Sequence, residues 1–152
     1  MTTGRAFQDL YQEKYAHCFG CGRLNDHGLH IQSFWDGDES VCTYEPEAFY
    51  TGGYPENLYG GLIASLMDCH SAGTAMAAAV RARESDPSLP APERFVTASL
   101  KVDYLAPTPV GPLEIRGKIR QVDGRKTWID VSVHANGKET ARGEVLQVQI
   151  PV

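Results

Sequence analysis

From Leu58 to Val80 the chain reads LYGGLIASLMDCHSAGTAMAAAV, a run with almost nothing that a helix has to keep in water. Small and branched apolar residues fill it on every side, so a helix built from it must be surrounded by other structure rather than laid on a surface. The spacing predicts a helix from about Tyr59 to Arg83. ESDPSLPAPER ends it, because its three prolines cannot continue helical hydrogen bonding. Ser65, Asp68, His70 and Ser71 interrupt the apolar run, which excludes a bilayer span. Something must wrap this helix, and the rest of the chain supplies it.

Beyond Arg94 the sequence alternates. In FVTASLKVDYLA, Val96, Ala98, Leu100, Val102 and Tyr104 share one face, and Thr97, Ser99, Lys101 and Asp103 the other, the period of a half-buried strand. LEIRGKIRQV, KTWIDVSVHA and ETARGEVLQVQI follow as three more strands. Asp123-Gly124 and Asn136-Gly137 separate them, dipeptides suited to type I′ hairpins, and short hairpins make neighbours antiparallel. Ahead of the helix, GLHIQSFW and SVCTYE read as two strands joined at Asp36-Gly37. Phe7, Leu10, Tyr11 and Tyr15 predict a short amphipathic N-terminal helix. HCFGCGRLNDHG and EAFYTGGYPEN are loops. The expected class is α+β, with one long helix packed on an antiparallel sheet.

A chain of 152 residues suits one domain. Its net charge of −5 supplies no basic footprint for nucleic acid. The N-terminal MTTGRAFQDLYQEKYA lacks an apolar signal core, so the expectation is a soluble cytoplasmic protein without membrane or nucleic-acid partners. The four cysteines (Cys18, Cys21, Cys42, Cys69) then read as free thiols.

Three blocks carry a resemblance: CFGCG…N..GL at Cys18–Leu29, GYPENLYGGLIASLMD at Gly53–Asp68, and VTASLKVDYLAPTPVG at Val96–Gly111. Together, and in this order, they resemble the small acyl-CoA thioesterases of the phenylacetate-degradation type. The resemblance implies the hotdog fold, a curved antiparallel sheet wrapped around one central helix. It implies a single domain over 1–152, with an N-terminal helix and Cys-containing loop at 1–27. It also implies a dimer or dimer of dimers, an acyl-CoA substrate and no cofactor. In that family the helix opens His-Gly-Gly, with an acid nine positions after the His. Here Tyr59-Gly60-Gly61 and Asp68 keep that spacing, and Tyr59 replaces the His.

Thioester hydrolysis needs a base or nucleophile at the carbonyl carbon and donors for the oxyanion. The first N–H groups of a helix have no internal partner and carry the positive end of its dipole. Gly60 and Gly61 leave them open to a carbonyl oxygen. Asp68 can activate water or attack directly to give a mixed anhydride. Eight residues separate Gly60 from Asp68, about 12 Å along one helix, too far for both to reach one carbon. Two antiparallel helices across a twofold axis would bring Gly60 of one copy near Asp68 of the other.

Each residue also has a plainer reading. Asp68 could be a structural carboxylate, and the glycines could mark a tight turn or close packing. Asn57 could cap the helix or line the substrate site. Tyr59 could hydrogen-bond the thioester or simply pack. His70 and Ser71 cannot form a triad with Asp68, because adjacent helical residues point about 100° apart. Cys18 and Cys21 with His27 and His30 resemble half a zinc site, but the intervals are too short, so a loop of buried thiols over the helix and no metal is expected. Arg116, Lys118 and Arg120, with Arg125 and Lys126 beyond, read as a solvated face or as contacts for CoA phosphates. A non-catalytic acyl-CoA or small-ligand binding protein on the same scaffold is the alternative function, and a hydratase lacks a convincing Asp/His pair.

Overall fold

The central helix, α1, runs Gly60–Ala82, and its buried residues lie on every side, from Leu62, Leu66 and Met67 to Met76 and Val80. The computed structural model describes residues 4–82 and 91–151, so Arg83 and most of the proline-containing segment lie outside the described residues. A six-stranded sheet wraps α1. Its strands are β1 (Ser33–Asp36), β2 (Glu39–Tyr44), β3 (Arg94–Tyr104), β4 (Leu113–Asp123), β5 (Lys126–Ala135) and β6 (Lys138–Ile150). The spatial order is β1-β2-β4-β5-β6-β3, with every pair antiparallel. One long helix inside a curved antiparallel sheet is the expected hotdog architecture.

The core is the seam between them. Leu66 and Met67 of α1 meet Ile115, Ile129, Val133 and Val145 of the sheet, all of them fully buried. No helix among the described residues is long and apolar enough to cross a membrane.

Three local expectations need correction. The N-terminal segment forms two short 3-10 turns, Phe7–Leu10 and Glu13–Tyr15, instead of one amphipathic helix. Tertiary bonds claim the residues between: Ala91 N–H donates to Leu10 O at 2.7 Å, and buried Gln8 accepts from Ser33 N–H at 2.8 Å. The strand expected from Gly28 begins only at Ser33, because Leu29 and Ile31 donate to Phe19 O and Gly20 O of the Cys loop and His30 has a positive φ of 54°. Of the hairpin dipeptides, Asn136-Gly137 has positive φ at both residues, as a type I′ turn requires. At Asp123-Gly124 and Asp36-Gly37 only the glycine does, at the first position between the strands.

The fourth difference shapes the site. A bulge between Thr97 and Ser99 splits the alternation of β3. Before it, Phe95 and Thr97 point toward α1 while Val96 faces outward, opposite Val148. After it, Leu100 and Tyr104 stand opposite the buried Val145 and Ala141, on the helix side. One extra residue shifts the phase of a two-residue repeat, so the five apolar residues do not share one face. β3 is also an edge strand, and Leu100, Tyr104 and the following Leu105 remain exposed.

Candidate active site

Two anchored residues fix the entry to α1. Leu58 N–H donates to Thr108 O at 2.8 Å and Tyr59 N–H to Tyr50 O at 2.9 Å. Leu62 and Ile63 both donate back to Tyr59 O (3.1 and 3.4 Å), so the helical ladder starts there and the N–H groups of Gly60 and Gly61 lie ahead of it. Asn57 sits two residues before Tyr59 and is held through its backbone, its carbonyl accepting from Gly52 N–H at 2.9 Å.

Two tyrosine rings bracket the glycine pair. A Cβ on Gly61 would lie 2.3 Å from Cζ of Tyr59, and one on Gly60 would lie 3.3 Å from the ring of Tyr104. Tyr104 also donates its hydroxyl to Gly60 O at 2.7 Å. Both rings are the far ends of exposed side chains, so they crowd the glycine pair without excluding a substituent there. Beside them Leu58, Gly60, Ile63, Tyr104 and Leu105 line an open cleft of about 360 Å³.

Asp68 lies two turns further along α1, half-buried. The Thr97 hydroxyl donates to its Oδ1. Gln147, fully buried on β6, donates through Nε2 to Thr97 Oγ1 (2.7 Å) and to Ser71 Oγ (2.9 Å). Ser71 in turn donates to Asp68 O at 2.8 Å. Both hydroxyl hydrogens are thus committed to Asp68, leaving oxygens that can only accept, which requires the Gln147 amide nitrogen to face them. The consequence is a buried Gln147 Oε1 with no partner among the described residues. An unpaired buried acceptor costs about 1–3 kcal/mol, and here it accompanies a carboxylate held in one orientation. Sequence reasoning missed Thr97, Gln147 and Tyr104. Thr97 looked like a solvent-side residue until the bulge, and nothing marked a strand glutamine as buried.

His70 points the other way. Its Nδ1 pairs with Ser33 Oγ at 2.8 Å and its Nε2 with Ser40 Oγ at 2.9 Å, fully buried. Desolvation pushes it down to about 4, so it stays neutral and structural. On the outer face of the sheet Arg116 pairs with Asp36 (2.9 Å), Glu39 (3.8 Å) and Glu114, and Arg120 with Glu144 (2.5 Å) and Asp130 (3.8 Å). These two cations are matched by carboxylates in place, which is the solvated-face reading. His27 and His30 are exposed and stand outside the thiol group formed by Cys18, Cys21 and Cys69.

A family model described as the thioesterase superfamily matches residues 56–142, which include the glycine pair, Asp68 and Thr97. A search of curated proteins by sequence finds no significant match. Among solved structures, a thioesterase superfamily protein is 28% identical with a TM-score of 0.66, covering 88% of this chain and 63% of its own. The chain thus spans less than two thirds of that protein. The PaaI protein from the phenylacetic acid degradation operon of E. coli is 19% identical (TM-score 0.64, 80% of each chain). A hypothetical thioesterase of Streptococcus pneumoniae, solved with coenzyme A, is 16% identical (TM-score 0.61), covering 75% of this chain and 80% of that one.

Proposed function

This chain belongs to the thioesterase superfamily, and from that premise we propose that it hydrolyses acyl-CoA thioesters at a site shared between two copies. The observation that carries the reading is the Asp68 carboxylate, half-buried on the central helix and pinned by Thr97. The coenzyme A bound to one structural neighbour supports the choice of carrier. The chain from 1 to 152 acts as one domain.

The thioester carbonyl oxygen sits on the N–H groups of Gly60 and Gly61, where the helix dipole stabilises the charge that develops. Asp68 of the second copy takes a proton from water as the oxygen attacks the carbonyl carbon. The tetrahedral intermediate collapses, the C–S bond breaks, and the thiolate leaves without needing a strong acid, since thiols ionise near pH 8.5. Direct attack by the carboxylate would give a mixed anhydride that water then opens; both routes use the same residues. The separation of about 12 Å between Gly60 and Asp68 along one helix is what calls for a second, antiparallel copy. Tyr59 lines the carbonyl end and Asn57 the rim.

One feature favours a second reading, a non-catalytic acyl-CoA binding protein: the Tyr59 ring lies against Gly61, where the family's His would stand. Release of free thiol from a panel of short, long and aryl acyl-CoAs separates the two. Turnover of at least one member well above the uncatalysed rate is expected. Saturable binding without thiol release would assign the binding function instead.

A further inference from the structure

Cys18-Phe19-Gly20-Cys21-Gly22 folds back onto the middle of α1 and meets a third cysteine there, Cys69. The three sulfurs lie within 4.8 Å of one another, and Cys18 Sγ is 3.7 Å from Cys69 Sγ. We propose that Cys18, Cys21 and Cys69 form a three-thiolate site for zinc, which staples the loop to the central helix.

The spacing fits the chemistry. Two thiolates on one tetrahedral zinc, each about 2.3 Å from the metal, stand about 3.8 Å apart. An all-sulfur donor set selects a soft ion and disfavours magnesium or calcium. The loop is shaped for this convergence. A Cβ on Gly20 would lie 2.2 Å from Cys69 Sγ, so only glycine lets the loop close onto the helix there. A Cβ on Gly22 would lie 2.4 Å from Cys18 N, and Gly22 N–H closes the turn on Cys18 O at 2.7 Å. Leu29 N–H to Phe19 O (2.7 Å) and Ile31 N–H to Gly20 O (3.2 Å) clamp the loop from its other side.

A divalent zinc ion entering the centre displaces the thiol protons to solvent and leaves three Zn–S bonds, with a net charge of −1. Cys21 and Cys69 are buried while Cys18 is half-exposed, so the ion enters and takes its fourth ligand, a water or an added thiolate, from the Cys18 side. His27 and His30 have no part in it. The expectation of no metal considered those histidines as partners; the third ligand comes from the helix, 51 residues beyond Cys18.

The test is titration of the reduced, purified chain with Co²⁺ and then Zn²⁺, with no acyl-CoA present. One equivalent of cobalt should give the visible bands of a tetrahedral ion and a near-ultraviolet charge-transfer band of three thiolates, all bleached by one equivalent of zinc. Cys18→Ser and Cys21→Ser should each weaken zinc binding by more than the roughly 10- to 100-fold that loss of a mere supporting residue costs. Cys42→Ala, altering the buried cysteine outside the cluster, should bind as the parent does. The absence of a stoichiometric thiolate band in the reduced parent would overturn the proposal, and that result does not depend on any variant folding. So would full affinity in Cys18→Ser, or a disulfide within the trio that re-forms despite excess zinc.

Discussion

Thr97, carried toward the helix by the bulge in the edge strand, gives its hydroxyl hydrogen to Asp68, and Gln147 holds Thr97 from the neighbouring strand. In the proposed reaction Asp68 acts on a carbonyl in a second copy, and a carboxylate with that task gains from being held in one orientation. Thr97 is a positioning residue in this account. Thr97→Val keeps its shape and removes the donor. A hydrogen bond to a charged group contributes about 1.5–3 kcal/mol, so kcat should fall about 10- to 100-fold with KM little changed. Thr97→Ser should recover most of the loss. Equal kcat in Thr97→Val would make the contact incidental.

Tyr59 is where the chain leaves the family pattern. Its ring and hydroxyl lie beside Gly61, against the position of the missing Cβ. Tyr59→Phe should slow acyl-CoA hydrolysis about tenfold, a hydrogen bond's worth, if the hydroxyl meets the thioester. A rate equal to the parent's would assign the ring to packing.

His70 gives stability a pH dependence. Its folded pKa of about 4 lies below the unfolded value of 6.5, so below pH 6.5 the unfolded chain takes up a proton that the folded chain refuses. Stability should be full above pH 6.5 and fall as pH drops toward 4, by about 3 kcal/mol in all from this group. Urea midpoints between pH 7 and 5, above most carboxylate titration, should show this slope in the parent and lose it in His70→Asn, whatever the variant's absolute stability. A flat parent profile would show that Ser33 and Ser40 accommodate the imidazolium.

Leu100 and Tyr104 of the edge strand β3 and Leu105 just after it lie exposed, Tyr104 and Leu105 beside Gly60 at the helix start. A shared site needs this region covered by a second copy. Sedimentation at micromolar concentration should give a dimer or a dimer of dimers. A well-folded monomer that still hydrolyses acyl-CoA would refute the sharing.

The sequence disclosed most of the fold because its two strongest signals are local. An apolar run of small residues needs a wrapping sheet, and Asn136-Gly137 specifies its hairpin by backbone conformation alone. What escaped depended on contacts distant in the chain. The bulge at Thr97 leaves no mark in an alternating pattern, yet it decides that Thr97 reaches Asp68 and Val96 does not. Cys69 reads as helix filler until the loop at Cys18–Cys21 is seen lying on it. The glycine pair and Asp68 stand out as candidates through their spacing and the family resemblance, whereas the Tyr104 and Tyr59 rings that bracket the glycines do not, since side-chain packing over a helix end follows from the placement of β3.

The central claim is that Asp68 of one copy works with the Gly60 N–H of the other. Asp68→Asn keeps size and hydrogen-bonding capacity while removing the charge, and should lower kcat about a hundredfold or more. Gly60→Pro removes the N–H at the first helical position, where proline is well tolerated, and should be similarly inactive. Mixed under conditions shown to allow subunit exchange, the two variants form heterodimers in which one site carries both defects and the other neither. Equal mixing should then restore about one quarter of the parent's sites. Recovery of acyl-CoA hydrolysis to that level is the result this account predicts; a mixture of exchanged, folded subunits as inactive as its parents would contradict it.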